Sequence, residues 1–154
     1  VQIAKAMGAE VTGVDATAKE NAVRRFGADH FISYEKEDFT ATGETYDVIF
    51  DMVPGSAYGA CIRLLNPNGY YLAGNPRLSL MLRSVLTTRF TSKTVRFAFA
   101  RESNGALQSL REMIEAGRIG SIVDRVLPMD QAVEAHRLVE TEERLGAIVI
   151  SIGD

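Results

Sequence analysis

Short apolar runs, many of them β-branched, alternate along this chain with segments in which apolar residues recur at helical spacing. Strands separated by helices of this length are joined by crossovers, so they lie parallel in a sheet. The clearest strand is Tyr46–Asp51, a mostly apolar run of the kind found in central strands covered on both faces. The alternation predicts an α/β fold with a doubly wound parallel sheet, a Rossmann fold.

The predicted elements cover the whole chain. We expect strands at 10–14, 30–34, 46–51, 70–73, 94–99 and 147–152. We expect helices at 1–7, 17–26, 57–65, 78–86, 105–116 and 131–140. Gly8, Gly27 and Gly117 close three of the helices, and 66–69 (NPNG) predicts a turn. No repeat or linker divides the chain, so 1–154 is expected to lie in one domain.

The first fifteen residues predict the end of a helix, a turn and a strand that ends in Asp15. This order matches the second half of a βαβ unit that binds dinucleotides. The chain has no initiator Met and no residue that could cap the opening helix. We therefore expect a fragment that lacks the first strand and its Gly-rich phosphate loop. A natural N-terminus with a frayed first turn is the alternative.

Composition narrows the classes of partner. The net charge is −3, and no stretch concentrates Lys and Arg without interleaved acids, so we expect no nucleic-acid partner. No apolar run has the length that a bilayer span requires, so we expect no membrane partner. The single cysteine, Cys61, cannot form an internal disulfide and predicts a cytoplasmic location.

Several segments, in the same order along the chain, resemble the medium-chain dehydrogenase/reductase superfamily, and most closely its zinc-independent quinone oxidoreductase branch. They are VQIAK (1–5), VD (14–15), FGADH (26–30), EDF (37–39), YDVIFD (46–51), LNPNG (65–69), DRV (124–126) and AH (135–136). The resemblance implies the partial cofactor domain of an NAD(P)H-dependent oxidoreductase that transfers hydride to a quinone or an α,β-unsaturated carbonyl compound. It also implies an N-terminal GroES-like substrate domain absent from this chain, so the fragment alone is expected to be inactive.

The predicted adenosine site contains charges of both signs. Asp15, at the end of the second strand of such a fold, can accept hydrogen bonds from both ribose hydroxyls, which favours NADH. The resemblance implies that Lys19 and Tyr34 contact the 2′-phosphate of NADPH, and Thr17 lies between Asp15 and Lys19. We predict NADPH, with NADH as the alternative. Asp15 or Thr17 could instead cap the following helix, and Lys19 could be an ordinary surface charge.

The remaining cofactor contacts are expected where later strands end, because ligands of open parallel sheets bind outside the carboxyl ends of the strands. Val53 and Gly55 follow the strand at 46–51 and would lie beside the adenosine half. Ala73, Gly74 and Asn75 follow the strand at 70–73 and would lie near the nicotinamide ribose. Both glycines allow a close approach of the backbone to a ligand, or they are simple turn glycines.

No catalytic residue and no metal ligand is predicted in this chain. Hydride transfer is performed by the cofactor, so no nucleophile is required. One cysteine and two histidines, His30 and His136, show no pattern of converging zinc ligands. Such ligands belong to the other domain in the superfamily, so a zinc-dependent alcohol dehydrogenase remains an alternative. A non-catalytic module that binds or senses NADPH is another, and a methyltransferase is a third.

The strand predicted at 94–99, from Thr94 to Phe99, also bears on assembly. The resemblance implies that this edge pairs with its mate across a two-fold axis and so forms a homodimer, and an unprotected edge strand favours such pairing. Arg96 and Arg101 could instead blunt the edge.

Overall fold

A computed structural model describes residues 1–53, 57–74, 77–97, 103–141 and 144–153. The strands are β1 (Thr12–Asp15), β2 (His30–Ser33), β3 (Tyr46–Asp51), β4 (Leu65–Ala73), β5 (Thr94–Phe97), β6 (Val123–Pro128) and β7 (Ala147–Ser151). The α-helices are α1 (Gln2–Ala6), α2 (Glu20–Arg25), α3 (Tyr58–Leu64), α4 (Leu78–Phe90), α5 (Asn104–Glu115) and α6 (Ala132–Glu140). Within these ranges, every helix is too short or too polar to cross a bilayer.

Every strand pair is parallel. The strands form three sheets, ordered β1-β2, β3-β4-β5 and β6-β7. The predicted α/β fold with parallel strands and intervening helices is therefore confirmed. The chain divides into two compact units, one of Val1–Glu37 with Ser103–Asp154 and the other of Asp38–Glu102.

Glycines and one carboxylate shape the start of the first unit. Gly8 and Gly27 follow α1 and α2 with φ angles of 84° and 96°, the left-handed conformation in which a glycine commonly ends a helix. The Asp29 carboxylate lies 2.8 Å from Lys5 Nζ and accepts the Val11 N–H at 2.7 Å. Its hydrogen bond with Lys5, followed by that from Val11, holds the pKa of Asp29 below its usual value.

β1 packs closely on α2 in this unit. A Cβ atom added at Gly13 would lie 2.4 Å from Cγ1 of Val23, a distance that real side chains do not tolerate. Gly13 is therefore the residue that lets α2 approach the strand. The helix predicted at 17–26 forms in two pieces, a 3₁₀ turn at Thr17–Lys19 and then α2.

The core of the second unit lies where α3 meets β4. Its fully buried members are Cys61, Leu65, Tyr71 and Ala73. The ring of Tyr58 meets that of Tyr71 edge to face, with centroids 5.3 Å apart and an interplanar angle of 82°. Such a pair adds to the stabilisation that burial alone supplies.

Two stretches differ from the sequence prediction. The predicted turn at 66–69 is an irregular segment within β4, because Leu65 pairs with Tyr46 and Tyr70 with Val48, which leaves four residues opposite one. Asn68 takes a φ of 64° there. β6 was not predicted as a strand, since its pattern includes two charged residues and ends in proline. The predicted strand at 94–99 is described to residue 97, and its last two residues lie outside the described ranges.

Candidate functional site

The first unit carries a candidate site at the β1–β2 edge, which we define as Asp15, Thr17, Lys19 and Tyr34. The two strands are parallel, with Asp15 in register with Ser33, so both end at the same edge of their sheet. Asp15 Oδ1 accepts the N–H of Ala16 at 2.8 Å and lies 3.5 Å from Lys19 Nζ. Both side chains are partly exposed, so the acid and the base form one accessible ion pair.

Thr17 is held by the last residue of β2 and by a residue that follows the strand. Its hydroxyl lies 2.6 Å from that of Ser33, and its N–H donates to Glu35 Oε2 at 2.9 Å. The Tyr34 N–H donates to the Asp15 carbonyl at 3.3 Å, while 61% of the Tyr34 residue is exposed. The structure thus brings the four predicted residues of this edge together.

The capping role considered for Asp15 or Thr17 is wrong. The residue that precedes the 3₁₀ turn is Ala16, whose side chain cannot accept a hydrogen bond, and no side chain caps the turn or α2. Neither Asp15 nor Thr17 is therefore committed to capping a helix.

Glu35 is the residue of this edge that sequence reasoning missed. In the sequence it reads as part of an acidic surface turn, yet its carboxylate binds Thr17 across the edge. Hydrogen bonds from Thr17 hold the pKa of Glu35 below its usual value. Its position two residues after the end of β2 was the available signal. The edge therefore carries two carboxylates, those of Asp15 and Glu35, and one ammonium group, that of Lys19.

The second unit is considered by itself, and its candidate contacts lie at the β3–β4 edge, which we define as Asp51, Val53, Ala73 and Gly74. Asp51 is in register with Ala73, and its carbonyl accepts the Gly74 N–H at 2.8 Å. Asp51 Oδ1 accepts the Val53 N–H at 3.0 Å, and Oδ2 accepts the hydroxyl of Tyr71. Parallel pairing thus brings Val53, Ala73 and Gly74 to one edge.

These residues differ in what they expose. Val53 is 69% exposed, whereas Ala73 is buried and offers only its backbone. A Cβ atom at Gly74 would lie 2.2 Å from Sδ of Met52, so the bare backbone there permits close packing against the other segment of this edge. Gly55 and Asn75, the other two predicted contacts, lie outside the described residues.

The cysteine and the two histidines, all among the described residues, do not form a zinc site. Within the described ranges, no three His, Cys, Asp or Glu side chains converge. Cys61 is 1% exposed, and burial, followed by the nearby Asp51 carboxylate, raises the pKa of its thiol to about 11. His30 Nε2 lies 2.6 Å from Glu10 Oε1 on the surface. A zinc ion prefers the thiolate form, which this cysteine disfavours.

The chain was compared with known families, proteins and structures. The family model described as zinc-binding dehydrogenase matches residues 26–150. The mitochondrial NAD(P)H oxidoreductase RTN4IP1 of Danio rerio is 30% identical over 174 residues, covering 99% of this chain and 45% of the relative. The chloroplastic NADPH-dependent alkenal/one oxidoreductase of Arabidopsis thaliana is 29% identical, covering 97% of this chain and 36% of the relative.

Solved structures agree in fold. The quinone oxidoreductase from Coxiella burnetii superposes with a TM-score of 0.82 at 21% identity, covering 99% of this chain and 48% of that one. Likeness at this identity establishes the fold alone. This chain spans less than half the length of the relatives it matches.

Proposed function

This chain belongs to the zinc-binding dehydrogenase family of the medium-chain dehydrogenase/reductase superfamily, and from that premise we propose that it binds NADPH for an oxidoreductase. The proposed reaction is hydride transfer to a quinone or an α,β-unsaturated carbonyl compound. The proposed domain is a dinucleotide-binding domain, of which residues 1–154 form part. The printed names of two relatives specify NAD(P)H and NADPH, which supports a nicotinamide cofactor.

The single observation that carries the proposal is the Asp15–Lys19 pair at the β1–β2 edge. A strand-end carboxylate accepts hydrogen bonds from ribose hydroxyls, and a nearby cation can bind a 2′-phosphate. Thr17 and Tyr34 lie at the same edge and supply a hydroxyl each. Two carboxylates at this edge disfavour a phosphate dianion, so Lys19 has to offset their repulsion for NADPH to be preferred.

The β3–β4 edge of the second unit is also proposed to contact the cofactor. Val53 and Gly55 would pass beside the adenosine half, and Ala73, Gly74 and Asn75 would line the nicotinamide ribose. When bound, the cofactor supplies the hydride chemistry. The residues of this chain bind and orient it and contribute walls that exclude water, and none is proposed to act as an acid, base or nucleophile.

The substrate class follows the printed names of the relatives. One is named an alkenal/one oxidoreductase, another a trans-enoyl reductase and a third a 2-methylene-furan-3-one reductase. Each of these names describes a compound with a carbon–carbon double bond next to a carbonyl group. We propose that the hydride acceptor of this protein is an activated alkene, or a quinone of similar electronic character.

The test is the affinity for NADPH and NADH of the protein at its natural length, followed by the change in cofactor fluorescence on binding. Lys19→Gln removes the ammonium group and should weaken NADPH binding by about tenfold, because a charge-assisted contact contributes roughly 1.5–3 kcal/mol. NADH binding should change less than twofold. Arg111→Gln is the matched control, since Arg111 also belongs to an exposed (i, i+4) ion pair, with Glu115.

The outcomes separate the alternatives. Equal loss of NADPH and NADH affinity in Lys19→Gln would contradict the 2′-phosphate role of Lys19. Failure of the unsubstituted protein to bind either cofactor would contradict the proposed function itself. Binding without turnover of any quinone or activated alkene would instead indicate a module that senses NADPH.

We propose a homodimer that forms through the edge strand predicted at 94–99. β5, its described part, pairs with β4 and lies last in the order of its sheet. Edge strands can extend a sheet into a second copy. Sedimentation equilibrium should give twice the mass of one chain, and a monomer at micromolar concentration would contradict the proposal.

A cytoplasmic location is likewise a proposal, supported by the free, buried Cys61. The printed names of two relatives place those proteins in mitochondria and in chloroplasts. Fractionation of cells that express the natural gene would test it, and recovery with an organelle would contradict it.

A further inference from the structure

We infer that Asp51 and Tyr71 form a positioning pair that sets the affinity for the nicotinamide cofactor without taking part in hydride transfer. The inference rests on the proposed function, which places the cofactor at the β3–β4 edge. Neither side chain is proposed to touch the reacting atoms. Their effect is exerted through the backbone of Val53 and Gly74.

Asp51 joins three parts of its unit at one residue. Its Oδ1 accepts the Val53 N–H, which holds the segment that leaves β3. Its backbone carbonyl accepts the Gly74 N–H, which holds the segment that leaves β4. Its Oδ2 accepts the hydroxyl of Tyr71, whose backbone lies in β4. One carboxylate residue therefore links the exits of two neighbouring strands.

Tyr71 anchors that carboxylate to the core. The residue is 2% exposed, and the edge-to-face contact with Tyr58 supports its ring. The Tyr58 hydroxyl in turn lies 2.7 Å from that of Thr87 on α4. These contacts leave the Tyr71 hydroxyl little freedom to turn away, so the position of Oδ2 is fixed from the buried side. The exposed Val53 segment is therefore held in place by the buried core through Asp51.

The two strand exits also contact each other directly. Sδ of Met52 occupies the space where any side chain at residue 74 would lie. A shift of the 52–53 segment would therefore alter the surface at Gly74 as well. Because ligands of open parallel sheets bind outside the carboxyl ends of strands, both segments face the region where a cofactor is expected.

The expected consequence is preorganisation. A binding surface that is fixed before the ligand arrives does not have to be ordered on binding, and that saving appears as affinity. Loss of the Tyr71–Asp51 hydrogen bond frees one side of the carboxylate and loosens the Val53 segment, and through Met52 it alters the surface at Gly74. Cofactor binding should then weaken, while the rate of hydride transfer at saturating cofactor should stay the same.

Tyr71→Phe is the first test, in the protein at its natural length. It removes only the hydroxyl and keeps the ring that Tyr58 contacts. Tyr70→Phe is the matched control, because it makes the same change one residue earlier, at a residue that is 44% exposed. We expect Tyr71→Phe to raise the Kd for NADPH and for NADH about tenfold, the factor that corresponds to one hydrogen bond to a charged group. Tyr70→Phe should stay within twofold of the unsubstituted protein.

Asp51→Asn is the second test, and it separates geometry from charge. The amide oxygen can still accept the Val53 N–H, and the amide nitrogen can donate to the Tyr71 hydroxyl. Asp51→Ala loses both contacts. We therefore expect cofactor affinity to be largely retained in Asp51→Asn and lost in Asp51→Ala, with kcat at saturating cofactor unchanged in Tyr71→Phe.

The contrary results are distinct. If Tyr71→Phe matches Tyr70→Phe in Kd, or if it lowers kcat with an unchanged Kd, the positioning role is overturned. An Asp51→Asn variant as weak as Asp51→Ala would overturn the geometric argument in favour of a charge effect. If the unsubstituted protein binds neither NADPH nor NADH, the proposed function is overturned, and the positioning role that rests on it is overturned with it.

Discussion

The β1–β2 edge and the β3–β4 edge are built in opposite ways. The first presents partly exposed, charged side chains that bind one another, such as Asp15 and Lys19. The second presents the backbone of Val53 and Gly74, whose N–H groups donate to Asp51, and the buried Tyr71 holds the Asp51 carboxylate. Side-chain identity therefore decides what the first edge recognises, whereas packing decides the shape of the second. Substitutions should change cofactor preference at one edge and overall affinity or stability at the other.

The largest effect should come from removing the anchor of the β3–β4 edge. Tyr71→Ala empties a buried site and should lower the free energy of unfolding by about 3–5 kcal/mol, as for other buried aromatic residues. Tyr34→Ala, at the β1–β2 edge, removes a residue that is 61% exposed and should cost roughly 0.5 kcal/mol or less. Urea unfolding measures both. Similar losses in the free energy of unfolding for the two variants would contradict the proposed difference between the edges.

A smaller effect should show that the β1–β2 edge also rests on close packing beneath its polar surface. Gly13→Ala forces a methyl group against Val23 and should destabilise the protein by about 1–3 kcal/mol. Val23→Ala in the same chain should relieve the crowding, so that the two changes together cost less than their sum. Gly105→Ala, on α5 where no atom lies within 4 Å of the added Cβ, serves as the control. Strict additivity in the double variant would contradict the proposed contact.

The smallest effect should be the pH dependence at Glu35. Its pKa is lower in the folded chain than the ordinary value of 4.5, so its contribution to stability is present above pH 4.5. That contribution should be lost as the pH falls from 4.5 through the folded pKa. Glu35→Gln should remove this part of the acid dependence in thermal melts taken between about pH 3 and pH 7. That range extends about one unit or more to each side of the ordinary pKa of a glutamate. Glu37→Gln is the control with the same change of charge, and an equal effect there would indicate a general charge effect.

Local patterns allowed most of the fold to be predicted from sequence. The run at Tyr46–Asp51 is a strand with the predicted bounds, and Gly8, Gly27 and Gly117 follow the ends of helices as predicted, each with a positive φ angle. β6 could not be predicted, because its stability as a strand depends on pairing with β7 rather than on its own alternation.

The candidate site was predictable to a lesser depth. Asp15 was predicted from its place at the end of a strand, and Lys19 and Tyr34 from the family resemblance. The structure brings them together with Thr17 at the β1–β2 edge. The bond from Thr17 to Glu35 and the bond from Tyr71 to Asp51 join residues 18 and 20 positions apart, so no local pattern reveals them. Gly55 and Asn75 remain predictions. The side chains that support a site are harder to find than those that face a ligand, because tertiary packing selects them.

Cys61 allows local opening of the second unit to be measured by thiol labelling. It is the sole cysteine in the sequence, it is 1% exposed, and its thiol pKa is raised from 9.0 to about 11. At pH 8 the folded chain should carry roughly a hundredfold less thiolate than the unfolded chain. A thiol-specific dye should therefore label the protein only when the segment around α3 opens, and the labelling rate would report how often that happens. Rapid labelling of the native protein at that pH would show that α3 leaves β4 far more readily than its burial suggests.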